Sequence, residues 1–265
     1  MTPPLPSTRL DGFHALVCGA SAGIGRAAAL ALAGAGAELT VLARSGDKLA
    51  ALLPELEAAG APAARALIAD LDDRPRLAQL VGALATERPV HVLVNNTGGP
   101  PPAPLLESDE AAFLTAFGRH VLASHLLVRT LLPGMRQAGY GRIVNVISLS
   151  VREPIAMLGV SNTIRGAMAS WSKTLAMELP PGITVNNVLP GYTDTERLST
   201  LGQAIADRNA SSLEQVQDAW CASIPEGRMG TPAELGAVVA FLASPAAAYL
   251  RGTSIPVDGG RLRCI

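Results

Sequence analysis

The stretch Val17-Cys18-Gly19-Ala20-Ser21-Ala22-Gly23-Ile24-Gly25 constrains the fold of this 265-residue chain more than any other. An apolar run, Phe13 to Cys18, leads into it, and an Ala/Leu-rich segment, Ile24 to Ala35, leaves it. A strand, a glycine turn and a helix start, in that order, make an anion site. The first N–H groups of a helix lack intrahelical partners and carry partial positive charge, and glycines let a pyrophosphate approach the backbone. The spacing is G-x-x-x-G-x-G, not the G-x-G-x-x-G of the common dinucleotide fingerprint. Taken alone, the loop also fits ordinary turn glycines.

The rest of the chain supplies the context. Strands are expected at Glu38–Ala43, Ala64–Ala69, Val90–Val94, Arg142–Ile147, Ile183–Val188 and Ser254–Val257. Helices are expected at Lys48–Ala59, after Asp70-Leu71-Asp72-Asp73 to about Glu87, at Asp109–Gln137 with a perturbation at Pro133-Gly134, at Gly159–Glu178 and at Pro232–Ala243. Thr195–Ser223 reads as irregular helical pieces, and Pro100–Pro104 as a stiff extended loop. Near-continuous apolar strands alternating with helices predict an α/β fold: one doubly wound Rossmann domain over residues 1–265, with about seven parallel strands and helices on both faces. Residues 1–10 read as a flexible tail and 191–228 as a segment covering the substrate. In such sheets ligands lie beyond the carboxyl ends of the strands, at the topological switch point.

Composition narrows the function classes. With 49% apolar but only 3% aromatic residues, the core must be built from Ala, Leu, Val and Ile. A net charge of −1 gives no reason to expect nucleic acid or an anionic membrane surface. Cys18, Cys221 and Cys264 are far apart and show no metal spacing, which suits a reduced cytoplasmic protein. MTPPLPSTRL has no apolar run of the signal-peptide kind, and the Ala27–Ala43 stretch is broken by Gly34, Gly36 and Glu38.

Several segments together resemble the short-chain dehydrogenase/reductase family, nearest its β-ketoacyl-carrier-protein-reductase-like branch. Gly19 to Gly25 is similar to that family's cofactor loop, and Asn95-Asn96-Thr97-Gly98 to its NNAG motif. Arg142 to Ser148 is similar to the strand that carries the catalytic serine, Pro190 to Thr195 to the PG-x-x-x-T segment, and Val257-Asp258-Gly259-Gly260 to the C-terminal DGG. The resemblance covers roughly Asp11 to Gly260. It implies cofactor contacts from Gly19, Ser21, Ala22, Gly23, Ile24, Gly25, Asp70, Leu71, Asn96, Gly98, Pro190, Gly191, Thr193 and Thr195. It also implies a homotetramer.

The departures fall on the chemistry. The family's Y-x-x-x-K motif, about 13 residues after the serine, here reads Ser161-Asn162-Thr163-Ile164-Arg165. Tyrosine is replaced by Ser161 and lysine by Arg165, and the asparagine of the catalytic tetrad aligns with His120. Ser161 and Arg165, at i and i+4, share a helix face. A serine hydroxyl is a far weaker acid than a phenol, and Arg165 binds anions or ribose hydroxyls but does not exchange protons. The remaining proton donors are Tyr192, which follows the sixth strand, and His120, with an unperturbed pKa of about 6.5. On residue type alone, each is more often a packing residue. Tyr140 and Tyr249 precede strands and belong at the opposite edge, while His14, His91 and His125 read as surface or packing residues.

Cofactor choice is read at Ala43-Arg44. An acidic residue ending the second strand would bind the ribose 2′-hydroxyl of NAD; here Ala43 stands there and Arg44 can pair with a 2′-phosphate. Asp70 either meets the adenine or caps a helix. The expected function is therefore NADP(H)-dependent interconversion of a ketone, possible substrates including 3-oxoacyl compounds, and a secondary alcohol. Ser148 would hold the oxygen and Tyr192 or His120 would supply the proton. The alternatives are a non-redox cyclisation or isomerisation on the same fold, and a dinucleotide-binding protein without turnover. Leu198, Leu201, Ile205, Leu213 and Trp220 read as an apolar substrate wall or as the packing side of two short helices.

Overall fold

The computed structural model describes residues 6–264. Seven strands, β1 (His14–Cys18), β2 (Glu38–Ala43), β3 (Ala64–Ile68), β4 (Val92–Asn95), β5 (Gly141–Val146), β6 (Ile183–Pro190) and β7 (Ser254–Val257), form one sheet. Its order is β3-β2-β1-β4-β5-β6-β7 and every pairing is parallel. The chain reverses direction across the sheet between β1 and β4, which makes that junction the switch point. The helices are α1 (Gly23–Gly34), α2 (Gly46–Ala59), α3 (Arg74–Glu87), α4 (Glu110–Phe117), α5 (Ala123–Ala138), α6 (Gly159–Glu178), α7 (Glu196–Asn209), α8 (Leu213–Ala222) and α9 (Pro232–Ala243). This is the doubly wound Rossmann arrangement the alternation predicts.

Side-chain alternation along each strand makes three layers. Ala15 and Val17 of β1, Leu39 and Val41 of β2, and Val92 and Val94 of β4 face α1, α2 and α9. Leu16, Cys18, Leu42 and Leu93 face α3, α5 and α6 on the other side. The central strands β1 and β2 are thus apolar on both faces, which is why they read as continuous runs rather than alternating ones.

Three local expectations are corrected. First, the tail does not extend to residue 10: Leu10 is fully buried, its N–H donates to Ala35, and the Ser7 carbonyl accepts from Ala246. Residues 1–5 lie outside the described residues. Second, the long helix is regular at Pro133-Gly134, and its irregularity lies instead at Gly118–Leu122, a π-turn joining α4 to α5. Pro133 is on the exposed side, where the Arg129 carbonyl that loses its donor can turn to water. The continuous run Glu110–Ala138 is long and apolar enough to cross a membrane by length and composition. Here Leu127, Val128, Leu131 and Met135 pack into the core. Third, Thr195–Ser223 is not irregular but holds two capped helices, α7 and α8. The Thr195 side chain caps α7, and Ser212 with Gln215 forms a capping box on α8.

Candidate active site

The loops leaving the carboxyl ends of β1 to β6 line one cleft of about 710 Å³. At its centre is the glycine turn. Gly19 has a left-handed backbone (φ +63°), and a Cβ on Gly25 would overlap the Gly19 carbonyl, so the tight turn requires glycine at both positions. The Asn96 side chain pins the turn from β4 by donating to the Cys18 and Gly19 carbonyls, each at 3.3 Å. No side chain caps the start of α1. Ser21, Ala22, Gly23 and Ile24 line the cleft there, with the first amides of a 12-residue helix. This donor set fits a pyrophosphate.

Further along the sheet, Ala43 ends β2 and lines the cleft beside Arg44. The Arg44 guanidinium is largely exposed and lies 3.9 Å from Asp70, a distance that leaves it able to receive a phosphate. Asp70 is not the helix cap; it accepts from the Asp72 N–H at 3.0 Å, and Asp73 caps α3. Asp70, Leu71, Gly98, Pro190, Gly191, Thr193 and Thr195 also line the cleft. Gly25 does not, because it packs inward against Gly19 and Asn96.

At the β5–β6 end, Ser148, Ser161, Arg165 and Tyr192 line the same cleft. The Ser148 oxygen accepts from the Ser150 N–H at 3.0 Å, which fixes its rotamer and leaves its own hydrogen free to donate. Arg165 is buried and donates to the carbonyls of Val146 (2.9 Å) and Thr97 (3.3 Å), tying the ends of β5 and β4 together. Burial, with Arg197 close by, lowers its pKa to about 9, so it remains a cation at neutral pH. Tyr192 stacks on Trp220 with ring centroids 4.8 Å apart, under the guanidinium of Arg261 at 4.5 Å from the ring centre.

His120 does not join this group. The π-turn directs it into a small recess that adjoins the cleft behind Arg165, and His120 does not line the cleft itself. Burial first, then the nearby cations Arg165, Arg119 and Arg197, push its pKa down to about 2. It is neutral through the working pH range, so it cannot act as an acid near its ordinary pKa. Tyr140 and Tyr249 lie where their positions before strands put them. Tyr140 donates to the Ala243 carbonyl and burial pushes its pKa up to about 12, while Tyr249 is fully exposed. His14 is a buried packing residue, bonded through its ring to Thr40.

The sequence reading missed three arginines that line the cleft. Arg119 is ion-paired with Asp72, and Arg197 donates to the carbonyls of Gly99 (2.9 Å) and Pro100 (3.2 Å). Arg261 immediately follows the DGG turn. Their adjacency to recognised motifs was the available signal. Leu198 and Leu201 line the cleft, and with Ile205 they also pack on Ala206, Val216 and Trp220 in the small core between α7 and α8. Both readings of that stripe are thus partly met.

A family model described as Enoyl-(Acyl carrier protein) reductase matches residues 19–261. An uncharacterised oxidoreductase of Mycobacterium tuberculosis is 32% identical over 95% of this chain and 93% of its own length. A gluconate 5-dehydrogenase of Gluconobacter oxydans is 32% identical over 95% of each chain. Among solved structures, the L-sorbose reductase of Gluconobacter frateurii, complexed with NADPH and L-sorbose, superposes with a TM-score of 0.90 at 27% identity. That match covers 97% of this chain and 99% of the other.

Proposed function

This chain belongs to the short-chain dehydrogenase/reductase family, and from that premise we propose that it is an NADP(H)-dependent oxidoreductase interconverting a ketone and a secondary alcohol. One observation carries the reading: a single cleft holds an uncapped helix start behind a glycine turn, a free guanidinium after β2, and a hydroxyl pair, Ser148 and Tyr192, after β5 and β6. The named substrates of relatives, gluconate and L-sorbose, are small polar molecules of the alcohol and ketone kind.

The nicotinamide, when bound, supplies the hydride. The chain's own residues do the rest. Gly23, Ile24 and the amides at the start of α1 hold the pyrophosphate, and Arg44 holds the 2′-phosphate. Arg165, fixed by two carbonyls, orients the ribose without carrying a proton. Ser148 donates to the carbonyl oxygen. With His120 neutral and out of the cleft, Tyr192 is the group that gives up a proton to the developing alkoxide.

Calorimetric titration should show tighter binding of NADPH than NADH, with Arg44→Ser losing about tenfold to a hundredfold in NADPH affinity. Equal affinities in the wild type would remove the 2′-phosphate assignment. Consumption of NADPH with a panel of ketones supports redox turnover. Tight NADPH binding with no consumption by any of them favours instead the non-redox or binding-only reading, to which the loss of the Tyr/Lys pair also points.

A further inference from the structure

Five arginines line the cleft against two acidic side chains, Asp70 and Glu196. Three of the five are engaged by the protein's own groups, and Arg44 stands exposed at the place of the 2′-phosphate. Arg119 pairs with Asp72, Arg165 donates to Val146 and Thr97, and Arg197 donates to Gly99 and Pro100. Arg261 is different. Among the described residues its guanidinium lies over the Tyr192 ring and bonds only the Tyr192 hydroxyl, at 3.4 Å; its Nε has no partner, which is true of Arg165 as well, but unlike Arg165 it donates to no carbonyl. Asp258, the acidic residue nearest in sequence, turns to the backbone instead, its two oxygens accepting from the Gly260 and Leu262 N–H groups at 3.0 and 2.8 Å, and no ion pair joins it to Arg261 among the described residues. A guanidinium with unspent donors beside the reacting groups is a recognition element for an anion.

The cofactor's phosphates are not that anion. The glycine turn follows β1 and Tyr192 follows β6, three strands away, about 14 Å between strand ends at ordinary spacing, and the β6 loop returns to the glycine turn only at Thr195, beside Gly23. We propose that Arg261 receives a carboxylate of the substrate, which makes the substrate an oxo acid, or the hydroxy acid formed from it. This inference rests on the oxidoreductase reading above. Because the guanidinium touches the Tyr192 hydroxyl, a carboxylate held there leaves the oxo group only a short carbon spacer away, facing Ser148 and Tyr192. The leucines of the same cleft, Leu149, Leu158, Leu198 and Leu201, suit an apolar remainder of the molecule.

The test is a binding measurement that needs no turnover. Acetoacetate and levulinate, each beside its uncharged methyl ester, are titrated calorimetrically into the protein saturated with NADP+. At least one acid should bind about tenfold or more tightly than its ester, the range of a charged hydrogen bond. Arg261→Gln should abolish that preference and Arg261→Lys should keep part of it, while both variants bind NADPH as the wild type does. Acids and esters bound alike by the wild type, or an acid preference that survives Arg261→Gln, overturns the proposal. A loss of NADPH affinity in Arg261→Gln comparable to the loss for the acid would also overturn it, by assigning the arginine to the cofactor. A parallel NADPH-consumption assay separates the two readings. Consumption with ketones but no acid preference defeats only the acid site, whereas acid preference without consumption defeats only the redox reading.

Discussion

Tyr192 and Ser161 divide the question of the proton donor between them. Both line the cleft, but a serine hydroxyl without a neighbouring base is a poor acid, and no histidine or carboxylate is bonded to Ser161 among the described residues. Ser161→Ala should therefore lower kcat only a few-fold. Tyr192→Phe keeps the stack on Trp220 and removes only the hydroxyl, so it should lower kcat by about 10²–10⁴ with NADPH affinity unchanged. Stopped-flow reduction of one ketone by both variants decides it, and a Ser161→Ala enzyme without activity beside a fully active Tyr192→Phe enzyme would falsify this assignment. At this scale the sequence placed Ser148, Arg44 and Arg165 at the cleft, which they line. It failed at His120. A histidine's residue type suggests acid–base work, but its pKa is set by burial and by Arg165, Arg119 and Arg197, which come from distant segments.

At the scale of elements, the cleft is held open by a polar ladder that the motifs only hint at. Asn95, Asn145, Asn187 and Ser254 sit in register on β4, β5, β6 and β7. Asn95 donates to Asn145 at 2.8 Å, Asn145 to Asn187 at 3.0 Å, and Asn187 to Ser254 at 3.0 Å. The ladder joins the strand ends from which Asn96, Ser148 and Tyr192 project. Asn145 is fully buried, so Asn145→Ala strands the amide of Asn95 and the carbonyl oxygen of Asn187 without their partner. The expected loss is about 2–4 kcal/mol in chemical denaturation, with a lower kcat as the strand ends loosen. A loss under 0.5 kcal/mol would show that the ladder is incidental. The central strands were legible because β1 and β2 are apolar on both faces. α6, α9 and β7 begin and end where patterning predicts, with Thr231 and Glu234 boxing the start of α9. The π-turn at Gly118–Leu122 was not legible, because one extra residue within a turn leaves the apolar periodicity of Glu110–Ala138 almost unchanged. The ladder was hidden for another reason. Its members lie on four strands, and only the sheet order, not the linear sequence, makes them neighbours.

For the whole molecule, the apolar surface and the buried histidines set expectations about assembly and acid stability. Leu114, Phe117, Leu122 and Met177 leave apolar area exposed along α4 to α6, and a symmetric tetramer that covers it should appear in light scattering at micromolar concentration; a monomer mass would contradict it. The pH dependence follows chiefly from His14 and His120, and His91, lowered by partial burial and by Arg88, adds in the same direction. Burial lowers the pKa of His14 to about 4 and that of His120 to about 2, whereas both titrate near 6.5 in the unfolded chain. Below about pH 6.5 the unfolded chain therefore binds protons that the folded chain does not. Stability is fully present above that pH and is lost as pH falls, by about 1.4 kcal/mol per pH unit for each histidine, through pH 4 for His14 and further down for His120. His120→Asn removes one of these titrating groups and keeps a polar side chain of smaller volume in its place. Its denaturation free energy at pH 7 should fall below the wild type's, because the His120 packing is lost. Between pH 6.5 and pH 4.5, however, it should decline less steeply, by about 1.4 kcal/mol per unit. Urea titrations at pH 7, 6 and 5 on both proteins read this directly. Parallel pH profiles would mean that His120 takes up its proton in the folded protein at an ordinary pKa, and the acid role excluded by its burial would then return to it.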